Sequence, residues 1–198
     1  MIVENFSLYR QCTLLPFSRE ILENCSDFTC GDTELDSFFH HDADLYSKEL
    51  MGKTYCWITE ERPYQIVALF TLANDSIKTL NLNNKIRNRL NRSISNRKRG
   101  RCYPAVLIGR LGINKSFQNK SVGSQLLHFI KDWFRLASNK TGCRFIVVDA
   151  YNNGRTTKFY ERNNFRYLYD SETEECLQYK SSTTENISTR LMYFDLKL

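Results

Sequence analysis

From Ser76 through Lys131 the sequence contains no aspartate and no glutamate. Thirteen basic residues fall in that stretch, with a dense run at Arg97, Lys98, Arg99 and Arg101, which leaves 15 basic against 22 acidic residues in the rest of the chain. The formal net charge of +6 therefore understates how strongly the charge is segregated. A cationic field of this kind attracts polyanions through counterion release and steers their encounter, favouring phosphate-rich ligands such as nucleic acid or a phosphorylated cofactor. It repels polyamines, and its structural alternative is a solvated basic loop.

Long apolar runs are also missing. The longest, around Ile66 to Ala73 and Ala105 to Ile108, fall far short of the ~18 residues that a membrane-spanning helix needs. Met1 to Arg10 carries Glu4 and no apolar segment, so no signal peptide is expected. The seven cysteines are odd in number, which together with the missing leader reads as reduced thiols and a cytoplasmic protein. Neither an internal repeat nor a linker is evident, and 198 residues at 41% hydrophobic and 25% charged suit one globular domain over residues 1–198. A chain of this length buries about 70% of its unfolded surface. No Ser-His-Asp or Cys-His constellation is present. No metal site is expected: Cys25 and Cys30 are isolated, and His40-His41, beside Asp42 and Asp44, occupy helical positions that face apart, as on a solvated face. His128 falls on the exposed side of a helix.

The patterned segments come in a defined order. Ser7 to Pro16, Thr54 to Thr59 and Gln65 to Leu72 read as strands, the last two as an antiparallel hairpin around Glu60 to Pro63. Asp32 is placed to cap a helix from Thr33 to about Leu50. Ile86, Leu90 and Ile94, at four-residue spacing, suit a short amphipathic helix followed by a basic loop from Ser93 to Gly100. Pro104 to Ile113 and Cys143 to Ala150 are nearly continuous in apolar residues, as strands buried on both faces are. Between them Val122, Leu126, Ile130, Trp133, Phe134 and Ala137 keep the period of a helix, which predicts a parallel, right-handed strand-helix-strand crossover. Asn153 to Arg162 then suits a helix, Phe165 to Tyr169 a strand, Ser171 to Ser188 a polar loop and Arg190 to Lys197 a closing strand.

The connection Asn114-Lys115-Ser116-Phe117-Gln118-Asn119-Lys120-Ser121-Val122-Gly123-Ser124 puts small and polar residues with free N–H groups at a helix N-terminus, a natural pyrophosphate site. Taken alone it reads first as a plain connector, since a polar strand-to-helix loop with one glycine is common.

Two motifs in order resemble the GNAT family of N-acetyltransferases. The first is an apolar strand followed by Gln118-x-x-Ser121-x-Gly123 at the mouth of a helix; the second is Asn153, then Phe159-Tyr160 and, at its end, Asn164-Phe165. The family has glycine where this chain has Ser121 and Asn164. Serine is small and asparagine tolerates left-handed backbone, so both can hold the same conformation. The resemblance spans about Thr54 to Tyr169. It implies an α/β fold with a mixed, mostly antiparallel twisted sheet of six to seven strands, a central parallel pair splayed around the acetyl-CoA site, and helices on both faces.

The resemblance also implies acetyl transfer from acetyl-CoA to a primary amine. The backbone of Gln118, Asn119, Lys120, Ser121, Val122, Gly123 and Ser124 would hold the pyrophosphate; Leu111, Gly112 and Ile113 would pair with the pantetheine arm; Asn153 would contact the cofactor nearby. Tyr160 would be the general acid that protonates the departing thiolate, while a backbone N–H near Ile113 polarises the carbonyl. From its neighbours alone, Tyr160 reads equally as a buried aromatic packed beside Phe159 and Phe165.

A narrower resemblance is to the acetyltransferase toxins of toxin–antitoxin modules, carried by Pro104-Ala105-Val106-Leu107-Ile108-Gly109-Arg110-Leu111, Val148-Asp149-Ala150, Phe28-Thr29-Cys30 and Leu35-Asp36-Ser37-Phe38. It implies the α-amine of aminoacyl-tRNA as acceptor, with Arg97, Lys98, Arg99 and Arg101 on the RNA backbone. Its implied partners are an antitoxin and a second copy of the chain, with no membrane. Chemistry points the same way: a lysine amine, of pKa about 10.4, needs a base more than a peptide α-amine near 8, and the strand carrying the reacting centre has no carboxylate. A protein or small-molecule amine is the alternative acceptor. A catalytically silent nucleic-acid-binding module is the alternative of another class.

Overall fold

The computed structural model describes residues 6–80, 82–95, 99–178 and 187–197. Its helices and strands are α1 (Leu8–Gln11), β1 (Cys12–Pro16), α2 (Arg19–Asn24), α3 (Thr33–Ser37), a π-type turn (Phe38–Asp42) running into α4 (Ala43–Lys48), β2 (Lys53–Thr59), β3 (Ile66–Lys78), α5 (Asn84–Asn91), β4 (Cys102–Ile113), a 3-10 turn (Lys115–Phe117), α6 (Val122–Arg135), β5 (Phe145–Tyr151), α7 (Gly154–Arg162), β6 (Arg166–Tyr167), α8 (Glu172–Gln178) and β7 (Thr189–Asp195). The seven strands form one mixed sheet in the order β1-β2-β3-β4-β5-β7-β6. β4 and β5 pair in parallel, as the crossover pattern predicted, whereas β1–β2, β2–β3, β5–β7 and β6–β7 are antiparallel. No helix among the described residues is long and apolar enough to cross a membrane.

The chain divides into two compact units, Met1–Ala73 with Ile108–Trp133, and Asn74–Leu107 with Phe134–Leu198. In the first, Phe28, Phe39, Ala43, Cys56, Ile66 and Leu69 form a buried cluster between the α3–α4 segment and the hairpin. Asp32 caps α3 as expected, its carboxylate accepting from the Glu34 and Leu35 N–H groups. In the second, Ile86 and Leu90 of α5 pack with Tyr103, Phe145, Val147 and Tyr193. The apolar spacing found in the sequence thus marks the buried face of α5.

Four readings need correction. Ser7 to Pro16 is not one strand: the Gln11 side chain accepts from the Ser7 N–H at 2.9 Å and closes a helical turn before β1. β3 runs six residues past Leu72, because the polar break at Asn74–Ser76 is followed by Ile77, which is buried in the second unit. The polar loop from Ser171 contains α8, whose inward face carries Glu175 in place of an apolar residue. That carboxylate, 1% exposed, takes the Leu191 N–H at 2.6 Å and the Arg190 guanidinium at 2.7 Å. The strand from Phe165 shortens to Arg166–Tyr167. His40 also departs from the solvated-face reading, since its ring is half-buried and Nε2 lies 3.0 Å from the Phe28 carbonyl.

Asp36 holds the entry to α3. It accepts from the Thr29 hydroxyl at 2.6 Å and from the Cys30 and Gly31 N–H groups at 2.8 and 3.3 Å. Burial pushes its carboxyl up, but these hydrogen bonds outweigh burial and hold it below its ordinary 3.8. A depressed carboxyl stabilises the fold above its unfolded pKa and loses that contribution as pH falls through the folded value. Asp36→Asn is therefore expected to cost about 1 kcal/mol at neutral pH and to flatten the acid limb of stability below the ordinary 3.8. Denaturant unfolding across pH checks both; a variant as stable as wild type with an unchanged acid limb contradicts the assignment.

Candidate active site

In the first unit the site is built on the end of β4 and the turn into α6. Asn114 is buried and fixes where the strand stops: its N–H donates to Val67, its Nδ2 to Ile66 at 3.0 Å, and its Oδ1 accepts from Ser116 at 3.1 Å. The Lys115 N–H donates to the Thr29 carbonyl at 2.9 Å. Gln118 closes the turn, with Nε2 donating both to the Cys30 carbonyl at 2.7 Å and to the Ile113 carbonyl at 2.9 Å. Gly112 is required by packing. A Cβ there would lie 3.1 Å from Phe39, 3.2 Å from Phe28 and 3.3 Å from Cys30.

Beyond Gln118 the backbone becomes left-handed at Asn119 (φ 59°) and again at Ser121 (φ 60°). Left- and right-handed residues in alternation turn successive N–H groups toward one side and make an anion-binding concavity. Among the described residues no carbonyl or side chain accepts from the Asn119, Lys120 or Ser121 N–H. α6 begins at Val122, so the positive end of its dipole joins them. The first turn contains no acid to compete for these donors. Lys120 stacks over the Phe117 ring at 5.3 Å, and Val122 is buried beneath the turn.

The second unit carries the other half of the motif set. The parallel ladder covers only Ala105–Leu107 against Phe145–Val147, while β4 continues to Ile113 and β5 to Tyr151. α7 starts on Asn153, whose Oδ1 accepts from the Thr156 N–H at 2.8 Å. Its end is a Schellman closure: the Asn164 N–H donates to Glu161 and the Phe165 N–H to Tyr160, with Asn164 left-handed at φ 63°. Tyr160 is 6% exposed between Phe159 and Phe165, at ring separations of 5.1 and 5.3 Å. No hydrogen-bond partner for its hydroxyl is found among the described residues, and burial pushes its pKa up. The phenol is therefore fully protonated at neutral pH.

Of the basic residues singled out in the sequence, Arg97 and Lys98 lie outside the described residues. Arg99 and Arg101 are exposed, and Arg99 Nη2 lies 3.4 Å from the Asn91 carbonyl. The sequence did not single out Asn114, though it is the side chain that ends β4. A buried asparagine just after an apolar strand was the available signal.

Residues 86–167 match the family model of the acetyltransferase (GNAT) domain. No curated protein matches the chain in sequence. Several solved structures share its fold. A tyrosine-to-phenylalanine mutant of KacT is 19% identical with a TM-score of 0.72, covering 95% of this chain and 96% of that one. AtaT complexed with acetyl-methionyl-tRNAfMet is 18% identical with a TM-score of 0.68, covering 94% and 95%. AtaTR bound with AcCoA is 20% identical with a TM-score of 0.67, also covering 94% and 95%.

Left-handed backbone costs a residue with a Cβ about 1–2 kcal/mol, less for asparagine, whereas glycine adopts it freely at some entropic cost. Ser121→Gly is therefore expected to stabilise the fold by up to about 1 kcal/mol, and Asn164→Gly by less. Ser121→Val is expected to destabilise it. Thermal unfolding of the three variants checks the order, and a Ser121→Gly protein that melts below wild type contradicts the strain assigned to this turn.

Proposed function

From the match of residues 86–167 to the acetyltransferase (GNAT) domain model and the shared fold, we propose that the chain transfers the acetyl group of acetyl-CoA to the α-amine of an aminoacyl-tRNA. The observation that carries this reading is the left-handed turn at Asn119 and Ser121, which leaves the N–H groups of Asn119 to Ser121 without an acceptor among the described residues at the start of α6, whose first turn contains no acid. Such a cradle suits a pyrophosphate. In the first unit the residues present fit the donor: the backbone from Gln118 to Ser124 would hold the diphosphate, and Leu111, Gly112 and Ile113, beyond the β4–β5 ladder, would take the amides of the pantetheine arm; in the second unit Asn153 would be the cofactor contact. Acetyl-CoA, when bound, supplies an activated thioester.

The remaining steps fall to the chain's own groups. A backbone N–H near Ile113 would polarise the thioester carbonyl for attack by the acceptor amine; as the C–S bond breaks Tyr160 Oη would give its proton to the departing sulfur, and the proton lost by the amine would restore the phenol. Burial keeps the phenol protonated at neutral pH, so Tyr160 would still hold its proton when negative charge develops on the leaving sulfur. The acceptor assignment is supported by the cationic segment from Lys85 to Arg101 and by the likeness in fold to AtaT, which was solved with acetyl-methionyl-tRNAfMet. An inhibitory antitoxin and a second copy of the chain are the partners that this reading brings with it.

The test is transfer of label from acetyl-CoA to charged tRNA, with uncharged tRNA, peptides and small amines as parallel acceptors. Label is expected on charged tRNA alone. Tyr160→Phe is expected to lower kcat about 10²–10⁴-fold, the range for loss of a general acid, with acetyl-CoA affinity retained. Label on peptides or small amines instead moves the acceptor to that class. Absence of both transfer and CoA binding leaves a silent nucleic-acid-binding module.

A further inference from the structure

The unit formed by Asn74–Leu107 and Phe134–Leu198 contains a concave surface that the proposed transfer does not use. It has a volume of about 470 Å³ and is lined by the turn from α6 to β5, Phe134 to Arg144, together with Leu196 and Lys197. Every charged residue in its lining is basic: Arg135, Lys140, Arg144 and Lys197. Arg135 is anchored, with Nε donating to the Leu196 carbonyl at 2.8 Å. Arg144 donates through Nη2 to Asp195 and to the Ser93 hydroxyl, each at 2.7 Å, and its Nε is buried without an acceptor. Lys140 and Lys197 are exposed, and no carboxylate lies within ion-pair distance of either among the described residues. Gly142, in the same turn, faces open space.

The pocket is continuous with the basic segment. The Arg144 N–H donates to the Pro104 carbonyl at 3.0 Å, which sets the start of β5 beside the start of β4. β4 is entered from Gly100 and Arg101, whose carbonyls are tied down by Thr79. Ser93, which Arg144 holds, follows α5 directly. Along the chain, Ser76 to Val148 contains sixteen basic residues and one acid, Asp132. A single oxyanion needs one or two cations; a run of this length matches a ligand with repeated negative charge. Exposed lysine ammonium groups, Lys140 and Lys197, with the exposed Arg135 beside them in the lining, suit the unesterified oxygens of a phosphodiester.

We infer that this pocket is a backbone-phosphate contact for RNA, acting together with Arg99 and Arg101. The inference rests on the reading of aminoacyl-tRNA as acceptor and adds a second anchoring point to it. Contacts to phosphate fix register and orientation without reading sequence, so the pocket raises affinity for all tRNAs alike.

The test is binding of uncharged tRNA by fluorescence anisotropy across a salt series, comparing wild type with the double variant Lys140→Gln, Lys197→Gln and with Thr141→Glu, which puts a negative charge in the pocket. The double variant is expected to lose about 0.7–0.9 of the log–log salt slope for each phosphate contact removed, and to bind severalfold more weakly at low salt. Thr141→Glu is expected to weaken binding at least as much. Acetyl-CoA affinity and melting temperature are expected to stay at wild-type values. Unchanged slope and affinity in both variants overturn the inference, as does wild-type protein that does not bind tRNA. Polyglutamate that competes as well as tRNA per charge overturns the RNA assignment in favour of an acidic polypeptide. Because the readout is binding, wild-type protein that binds tRNA without acetylating it sinks the acceptor reading and leaves the pocket to stand or fall on its slope.

Discussion

The Gln118 side chain, held between the Cys30 and Ile113 carbonyls, is the constraint on which the rest of the candidate site depends. Two consequences follow from those bonds. The end of β4 is pinned to the loop that enters α3, so the Phe28 and Phe39 cluster and Gly112 share one packing arrangement. The chain after Gln118 must also turn within a few residues to reach Val122, which is buried and cannot shift. The turn is short enough that it passes through left-handed backbone twice, and that conformation frees its N–H groups. The anion cradle proposed for this turn is therefore a by-product of how tightly the strand is tied to the helix. A longer and looser connection would satisfy its own donors.

The scarcity of acid shapes the structure as much as it shapes the field. A helix start needs a side-chain acceptor, and aspartate is among the best. α3 uses Asp32, whereas α5 starts on Asn83, the 3-10 turn on Asn114 and α7 on Asn153. Asparagine accepts the same hydrogen bond at no cost in charge. Substituting it at these starts lets the chain keep its helices without adding a carboxylate to the sequence of the cationic segment or to the turn before α6. The acids that do serve the second unit sit apart from the cradle's sequence: Asp170 pairs with Lys85 and Arg89, and Glu175 with Arg190.

Most of the fold was legible because its strands and helices obey a simple period. β4, α6, β5 and α7 fall where apolar spacing put them, and the parallel β4–β5 pair follows from the crossover rule. Two of the failures share one cause, which is that polar side chains do work usually assigned to apolar ones. α8 was hidden because its inward residue is Glu175, satisfied by Arg190 and the Leu191 N–H. The turn at α1 was hidden because a glutamine side chain closes it. The left-handed positions were legible only through the family pattern: Ser121 and Asn164 replace glycines and keep the backbone of glycine, and nothing in their own chemistry requires it. Asn119, left-handed as well, carried no signal of its own beyond the tolerance of asparagine.

The packing of Tyr160 is compatible with the catalytic role proposed for it. Phe159 and Phe165 hold the ring, and the Phe165 N–H that closes α7 bonds to the carbonyl of Tyr160 itself, so side chain and backbone of one residue are fixed by the same closure. An acid must be positioned to better than a bond length and must stay protonated until the leaving group forms. The aromatic neighbours supply the first condition by contact and the second by excluding water, which disfavours the phenolate. Burial that packs the helix end is thus the same burial that prepares the hydroxyl. The left-handed Asn164 is where the chain bears the strain of this double use, since the closure brings Phe165 back onto Tyr160 only if the residue between helix and strand takes positive φ.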